Sequence, residues 1–275
     1  MHDLRVAAVQ INSTSQRSAN LEKAEALVRR AAAEGARFVA LPENFAEMAA
    51  EGLLIERLED LQGQVVHWAL ALSRELGVDL LLGSIPERAP EPERRYNTSV
   101  LIDRRRGVVA TYRKIHLFDV DLPEQRLMES TVVVPGDRVV VASMEWGRVG
   151  LSICYDLRFP ELYRRQVLAG AELLAVPAAF TAVTGKEHWE ALLRARAIEN
   201  QAFVIAPAQV GRHSPQRRSW GHAMVVDPWG RVLADAGGET EGVAIADLSA
   251  MVLEDLRRRL PCLQHMRLIG GGGEE

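Results

Sequence analysis

AEGARFVALPENF at 33–45 and LAGAELLAVPAAF at 168–180 carry Gly, Ala, a later Ala, Pro and Phe at matching places. Each follows a segment with apolar positions at helical spacing and runs through an apolar stretch into a proline. Each therefore reads as helix, glycine turn, strand and strand end. A weaker echo pairs RVAAVQ at 5–10 with RVGLSI at 148–153, at nearly the same offset and close to half the chain length. Two readings stand at this level. The echo is a coincidence between two helix–Gly–strand units, or the chain has two similar halves, each a sheet with helices on one face. The second predicts an α/β fold, a four-layer αββα sandwich of two packed sheets flanked by helices, with no linker between domains.

Outward from these units, short apolar β-branched runs alternate with Ala/Leu/Arg/Glu-rich segments. Strands are predicted at 5–10, 38–41, 79–84, 99–102, 108–113, 139–143, 149–154, 173–176, 203–207, 222–226 and 242–246. Helices are predicted at 18–33, 64–76, 160–169, 188–200 and 248–260, with Pro160 in a first helical turn. One domain is expected over 1–269, and the GGGGEE ending predicts a flexible tail over 270–275. The 275 residues are 48% apolar and 25% charged, with a net charge of -4, a balance that offers no polyanion-binding surface and argues against nucleic acid. No stretch approaches the ~18 apolar residues of a membrane span, so no membrane partner and a cytoplasmic location are expected. The two cysteines, Cys154 and Cys262, have neither zinc spacing nor a disulfide framework around them. No metal or organic cofactor is expected.

Cys154 lies where an apolar strand ends and Phe159-Pro160-Glu161 opens a helix. Backbone amides past such a residue can face a developing oxyanion, and a helix N-terminus favours thiolate. The plainer alternative is a buried packing cysteine, the reading given to Cys262. Glu43 follows the strand RFVALP directly, and partial burial would raise its pKa and make it a proton acceptor for a thiol. Lys114 closes VVATYRK in the same way and could hold the oxygen of a tetrahedral intermediate. Glu129, before a Pro-Gly turn, could orient Lys114 or the substrate. Each has a bland alternative as a solvated strand-end or loop residue. A Cys-His hydrolase using His116, His188, His222 or His265 competes, and spacing excludes none of them. The arginine runs at 104–106 and 257–259 read as a solvated hairpin turn and a helix end that complements the dipole.

LPENF, YRKIHLFD with the following ES, and GLSICYDLRFPELYR, in that order, resemble the nitrilase, or carbon–nitrogen hydrolase, superfamily over nearly the whole chain. The resemblance implies the αββα sandwich and a Glu-Lys-Cys triad, which maps onto Glu43, Lys114 and Cys154, with Glu129 as auxiliary glutamate. TGKEHWEALLRARAIENQAFVIAPAQVGRH, WGHAMVVDPWG and LRRRLPCLQH are similar to the Nit branch, the deaminated glutathione amidases also found fused in NitFhit proteins. Tyr155-Asp156 stands where nitrilases usually carry Trp-Glu, which argues against nitriles. Lys186 and Glu187 depart from the family's usual Pro and Ala, and DLPEQRLMES lacks a usual glycine.

The resemblance implies amide hydrolysis through a Cys154 thioester, with Lys114 and the Tyr155 amide at the oxyanion. It also implies a small-molecule amide bearing carboxylates and a homodimer or higher homo-oligomer, with the helix after Cys154 and the C-terminal region at the interface. Omega-amidase or carbamoyl-amide activity are the alternatives, and a non-enzymatic scaffold is a third. A substrate with two carboxylates calls for cations. Arg158 is the first choice, and Arg212, Arg217 and Arg218 are others. Phe45, Phe180 and Thr181, at the ends of the echoed strands, are expected to line the pocket.

Overall fold

The computed structural model describes residues 1–48, 58–91, 93–122, 125–215 and 217–268. The first half runs β1 (Leu4–Ile11), α1 (Arg17–Ala33), β2 (Phe38–Ala40), α2 (Gln64–Leu76), β3 (Asp79–Arg88), β4 (Arg95–Asp103) and β5 (Gly107–Arg113). A hairpin of β6 (Asp119–Leu122) and β7 (Gln125–Met128) leads to the second half. That half comprises β8 (Val141–Met144), β9 (Gly147–Leu151), α3 (Pro160–Leu168), β10 (Leu173–Ala175), α4 (Ala182–Asn200) and β11 (Phe203–Ala206). It continues with β12 (Ala208–Arg212), β13 (Arg218–Trp220), β14 (Met224–Val226), β15 (Val232–Asp235), β16 (Gly242–Leu248) and α5 (Ala250–Arg259). The elements from Leu4 to Arg259 build one αββα sandwich. The tail expected at 270–275 lies outside the described residues.

The echo is architectural. In the first sheet β1, β2 and β3 are parallel neighbours, followed by antiparallel β4 and β5. In the second, β9, β10 and β11 are parallel neighbours, followed by antiparallel β14 and β15. The hydrogen bonds repeat residue for residue: Gly35 N to Ala32 O matches Gly170 N to Val167 O, and Arg37 N to Arg5 O matches Glu172 N to Arg148 O. Both glycines have φ near +90°, +87° and +93°, where a Cβ is strained. This removes coincidence as an account of the echo.

Alternation sorts the first sheet's side chains. Ala7, Val9, Val39, Leu80 and Leu82 face α1 and α2, packing on Val28, Ala31, Val66 and Ala69. Val6, Ala8, Phe38, Ala40 and Leu81 face the second sheet and share a core with Val149, Leu151, Leu174 and Val204. Phe38 meets Trp146 across the layers at 5.1 Å between ring centroids.

Helix α4 begins at Ala182, six residues before the predicted start, so His188 sits inside the helix. Its early turns contain Val183, Thr184 and Gly185, weak helix formers. Gly185 is required by packing, because a Cβ there would fall 2.3 Å from the Trp220 side chain. The Arg104–Arg106 turn is less solvated than expected, since Arg104 pairs with fully buried Asp79 (3.1 Å) and with Glu145 (2.7 Å). Arg257 likewise donates to Gln201 O and Ala171 O. Cys262, expected to pack, is exposed, because the chain turns at the surface after α5. No described helix is long and apolar enough to cross a membrane.

Candidate functional site

Three strand ends converge. Leu41 and Pro42 carry the chain from β2 to Glu43, Lys114 directly follows β5, and Cys154 opens a 3-10 turn (Cys154–Arg158) after β9. Two residues at these ends occupy left-handed backbone: Asn44, φ +55°, whose amide donates to Ser84 Oγ (2.9 Å), and Cys154, φ +49°. A non-glycine residue there stores strain, and the Cys154 amide is anchored to Pro177 O at 2.9 Å.

Glu43, Lys114 and Cys154 are all buried. Lys114 Nζ lies 3.1 Å from Glu43 Oε1 and 2.9 Å from Glu129 Oε2. The second Glu43 oxygen accepts the Ala179 amide at 2.8 Å, and the Cys154 thiol faces the Glu43 carboxylate closely enough for each to shift the other. Ala179 lies at the end of the other echoed strand, so the ends of β2 and β10 meet at this carboxylate. Asn97, on β4, donates to both Glu43 (2.8 Å) and Glu129 (3.3 Å), and the Phe118 amide donates to Glu129 at 2.7 Å.

The proton sits differently from the sequence-based expectation. Burial pushes the Glu43 carboxyl up, but the Lys114 charge, the Ala179 amide and bonds to Cys154 and Lys114 outweigh it and hold the group below its ordinary range. Burial and the Glu43 charge push the Cys154 thiol well up, with Lys114 opposing. The resting pair is therefore a thiol facing a carboxylate, and not a thiolate favoured by a helix end. Burial opposes the charge on Lys114, yet Glu129, Glu43 and Cys154 raise its pKa and keep the cation.

The histidines are occupied elsewhere or exposed. His116 Nδ1 lies 2.7 Å from Asp156 Oδ1, and its ring stacks on Phe159 at 3.7 Å. Arg158 donates to His188 Nδ1 (3.2 Å), His222 faces Asp235 (2.9 Å), and His265 is exposed. Asp156 is fully buried and also accepts the Tyr112 hydroxyl (2.7 Å) and the Ile153 amide (2.9 Å), pinning the turn that carries Cys154.

Of the expected binding residues, Arg158 and Phe180 come together, the guanidinium standing 5.3 Å from the ring centroid. Among the described residues no carboxylate pairs with Arg158. Tyr155 lies on the same turn, its ring edge-on to Phe118, and Thr181 occupies the residue before α4, its hydroxyl 3.2 Å from that of Thr184. Phe45 goes elsewhere: it is fully buried and stacks on Trp68 in the core beneath α1 and α2, because the left-handed turn at Asn44 directs the chain back under the helices. Arg212 donates to Pro215 O, and Arg218 is exposed. Asn97 and Asp156 were not picked out as site residues. Strand β4 was predicted to begin at Ser99, two residues past Asn97, and no local signal marks either residue as a partner of the cluster.

Gly83 on β3 fixes where Glu43 sits. A Cβ there would lie 2.0 Å from Leu41 O and 2.4 Å from the Pro42 carbonyl. Gly83→Ala is expected to cost about 1–3 kcal/mol, as overpacking does. It should also lower kcat by displacing Glu43, and unchanged denaturation and turnover would contradict this.

The sequence matches the carbon-nitrogen hydrolase family over residues 5–258. It is 45% identical over 263 residues to the deaminated glutathione amidase of Synechocystis sp., covering 94% of this chain and 96% of the relative. Against the Homo sapiens deaminated glutathione amidase it is 45% identical over 270 residues, covering 95% and 82%. The crystal structure of the C. elegans NitFhit protein superposes with a TM-score of 0.89 at 36% identity, covering 97% of this chain and 66% of that longer one. With its sandwich, its buried Glu-Lys-Cys cluster and these relatives, the chain belongs to the carbon–nitrogen hydrolase family and is an amidohydrolase.

Proposed function

We propose that the protein hydrolyses deaminated glutathione to 2-oxoglutarate and cysteinylglycine through a Cys154 thioester. The observation that carries the mechanism is the thiol of Cys154 facing a buried carboxylate that Lys114 keeps charged. Glu43 takes the thiol proton as Sγ attacks the carbonyl. Of the three Lys114 protons, one faces Glu43 and one Glu129, which leaves the third for the developing oxyanion beside the Tyr155 amide. Protonated Glu43 then gives its proton to the departing nitrogen, and the C–N bond breaks to leave the thioester. Water passes a proton to Glu43 and attacks the thioester; Sγ leaves and recovers that proton as the acid is released. Glu129 and Asn97 hold Lys114 and Glu43 in place.

The substrate assignment draws on the two curated relatives at 45% identity. Arg158, a cation with no carboxylate partner among the described residues and standing over Phe180, supports binding of an anionic substrate, with Phe180 and Thr181 as pocket wall. A homodimer in the cytoplasm is part of the same reading, and the exposed Leu168, Ile198 and Met251 on α3, α4 and α5 are apolar positions fitted to such an interface.

Release of 2-oxoglutarate from deaminated glutathione, compared with turnover of 2-oxoglutaramate and a carbamoyl amino acid, tests the proposal. The expected result is the highest kcat/KM for deaminated glutathione. Preference for either other amide would discard the substrate, and no turnover of any would discard the enzyme reading.

A further inference from the structure

Arg95 is a cation that the cluster leaves unused. It lies on β4 two residues before Asn97, so the two-residue period of a strand puts it on the face from which Asn97 reaches Glu43 and Glu129. Backbone bonds from Arg95 N to Val132 O (3.0 Å) and from Val134 N to Arg95 O (2.8 Å) clamp this end of β4 beside the turn that carries Glu129. The residue is half-buried, and among the described residues its guanidinium has neither a hydrogen bond nor an ion pair. Glu129, the acid whose charge reaches it, is already committed to Lys114, Asn97 and the Phe118 amide. Burial pulls the Arg95 pKa down, Glu129 opposes this, and the Arg217 charge adds to the lowering. A half-buried guanidinium with five free donors is costly to keep, and a carboxylate matches its fork with two bonds.

We propose that Arg95 binds a substrate carboxylate on the leaving-group side of the scissile amide. This rests on the reading of the chain as an amidase for a carboxylate-bearing amide. The side follows from the layers. Glu43, which hands the proton to the departing nitrogen, and Arg95 both project from the first sheet. Arg158 follows Cys154 in the second half and stands over Phe180, so the acyl portion falls to it.

The test is calorimetric titration with N-acetylserylglycine, a neutral-amine mimic of the leaving portion, and with its C-terminal carboxamide. Wild-type protein is expected to bind the acid roughly 10- to 100-fold more tightly than the carboxamide, the range for a hydrogen-bonded charge. Arg95→Gln should bind the two alike while keeping wild-type affinity for the carboxamide. Arg95→Lys, which retains the charge without the fork, should fall between and serves if the glutamine variant does not fold. Equal binding of acid and carboxamide by the wild type, no measurable binding of the acid, or a full acid preference in both variants overturns the assignment. Turnover of deaminated glutathione by the wild type is scored separately. Its absence beside an intact acid preference removes the amidase reading and leaves the carboxylate site standing.

Discussion

Cys154→Ala is expected to lose turnover by at least about 10⁴-fold and to form no adduct, while folding as the wild type does. Loss of a nucleophile removes the covalent route and leaves only binding and the oxyanion donors. The structure keeps the cost to the fold small, because the thiol faces Glu43, which retains Lys114, Asn97 and the Ala179 amide. Alanine keeps a Cβ, so the left-handed strain at φ +49° is unchanged. Mass spectrometry of protein quenched during turnover should show an acyl adduct on the wild type alone. Undiminished turnover by Cys154→Ala would remove the thioester mechanism.

Lys114→Met carries the second large effect, on both activity and stability. Without the cation, the Glu43 and Glu129 carboxylates share Asn97 with no ammonium bonded between them, and breaking a buried pair in this way costs about 3–5 kcal/mol. Loss of one positioned oxyanion donor lowers kcat by a further ~10²–10³-fold. The pH dependence should change sign. In the wild type Glu43 sits below its ordinary 4.5, so its contribution is present above that pH and is lost as pH falls through the lower folded value. Lys114 sits above its ordinary 10.5, so its contribution is full below that pH and lost only as pH rises through the higher folded value. In Lys114→Met, burial acts on Glu43 with its main opponent gone, the carboxyl rises, and stability should increase as pH falls toward protonation. Adding Glu129→Gln should recover part of the stability and none of the activity. Denaturant titrations from pH 5 to 9 check both, and wild-type stability at pH 7 for the single variant would contradict the account.

Much of the fold was legible in one repeated phrase. The Gly, Ala and Pro of the two echoed units each do local work, ending a helix in left-handed backbone or ending a strand, and local work leaves a mark in the sequence. Helix α2 was read to the residue and α1 to within one. What was missed shares a cause. The start of α4 is held by Trp220 against Gly185, and β12 forms by pairing with β1 from the other end of the chain, with β13 folding back on it, so neither follows from local propensity. Glu43, Lys114 and Cys154 were visible as separate candidates because each stands at a strand end, and the motif resemblance joined them as a triad. Asn97, Asp156 and Arg95 were not, because each gains its meaning from groups far away in the chain, such as Glu43 for Asn97 and Tyr112 for Asp156.

The sequence by itself determined two echoed helix–glycine–strand units and which charged and nucleophilic residues stand at strand ends, since periodicity, turn glycines and strand-end prolines act within a few residues. The tertiary structure alone decided that Glu43 is a carboxylate held low and Cys154 a thiol held high. Those states are set by burial, by Lys114 and by an amide from the opposite half, and such fields exist only once the two sheets have packed.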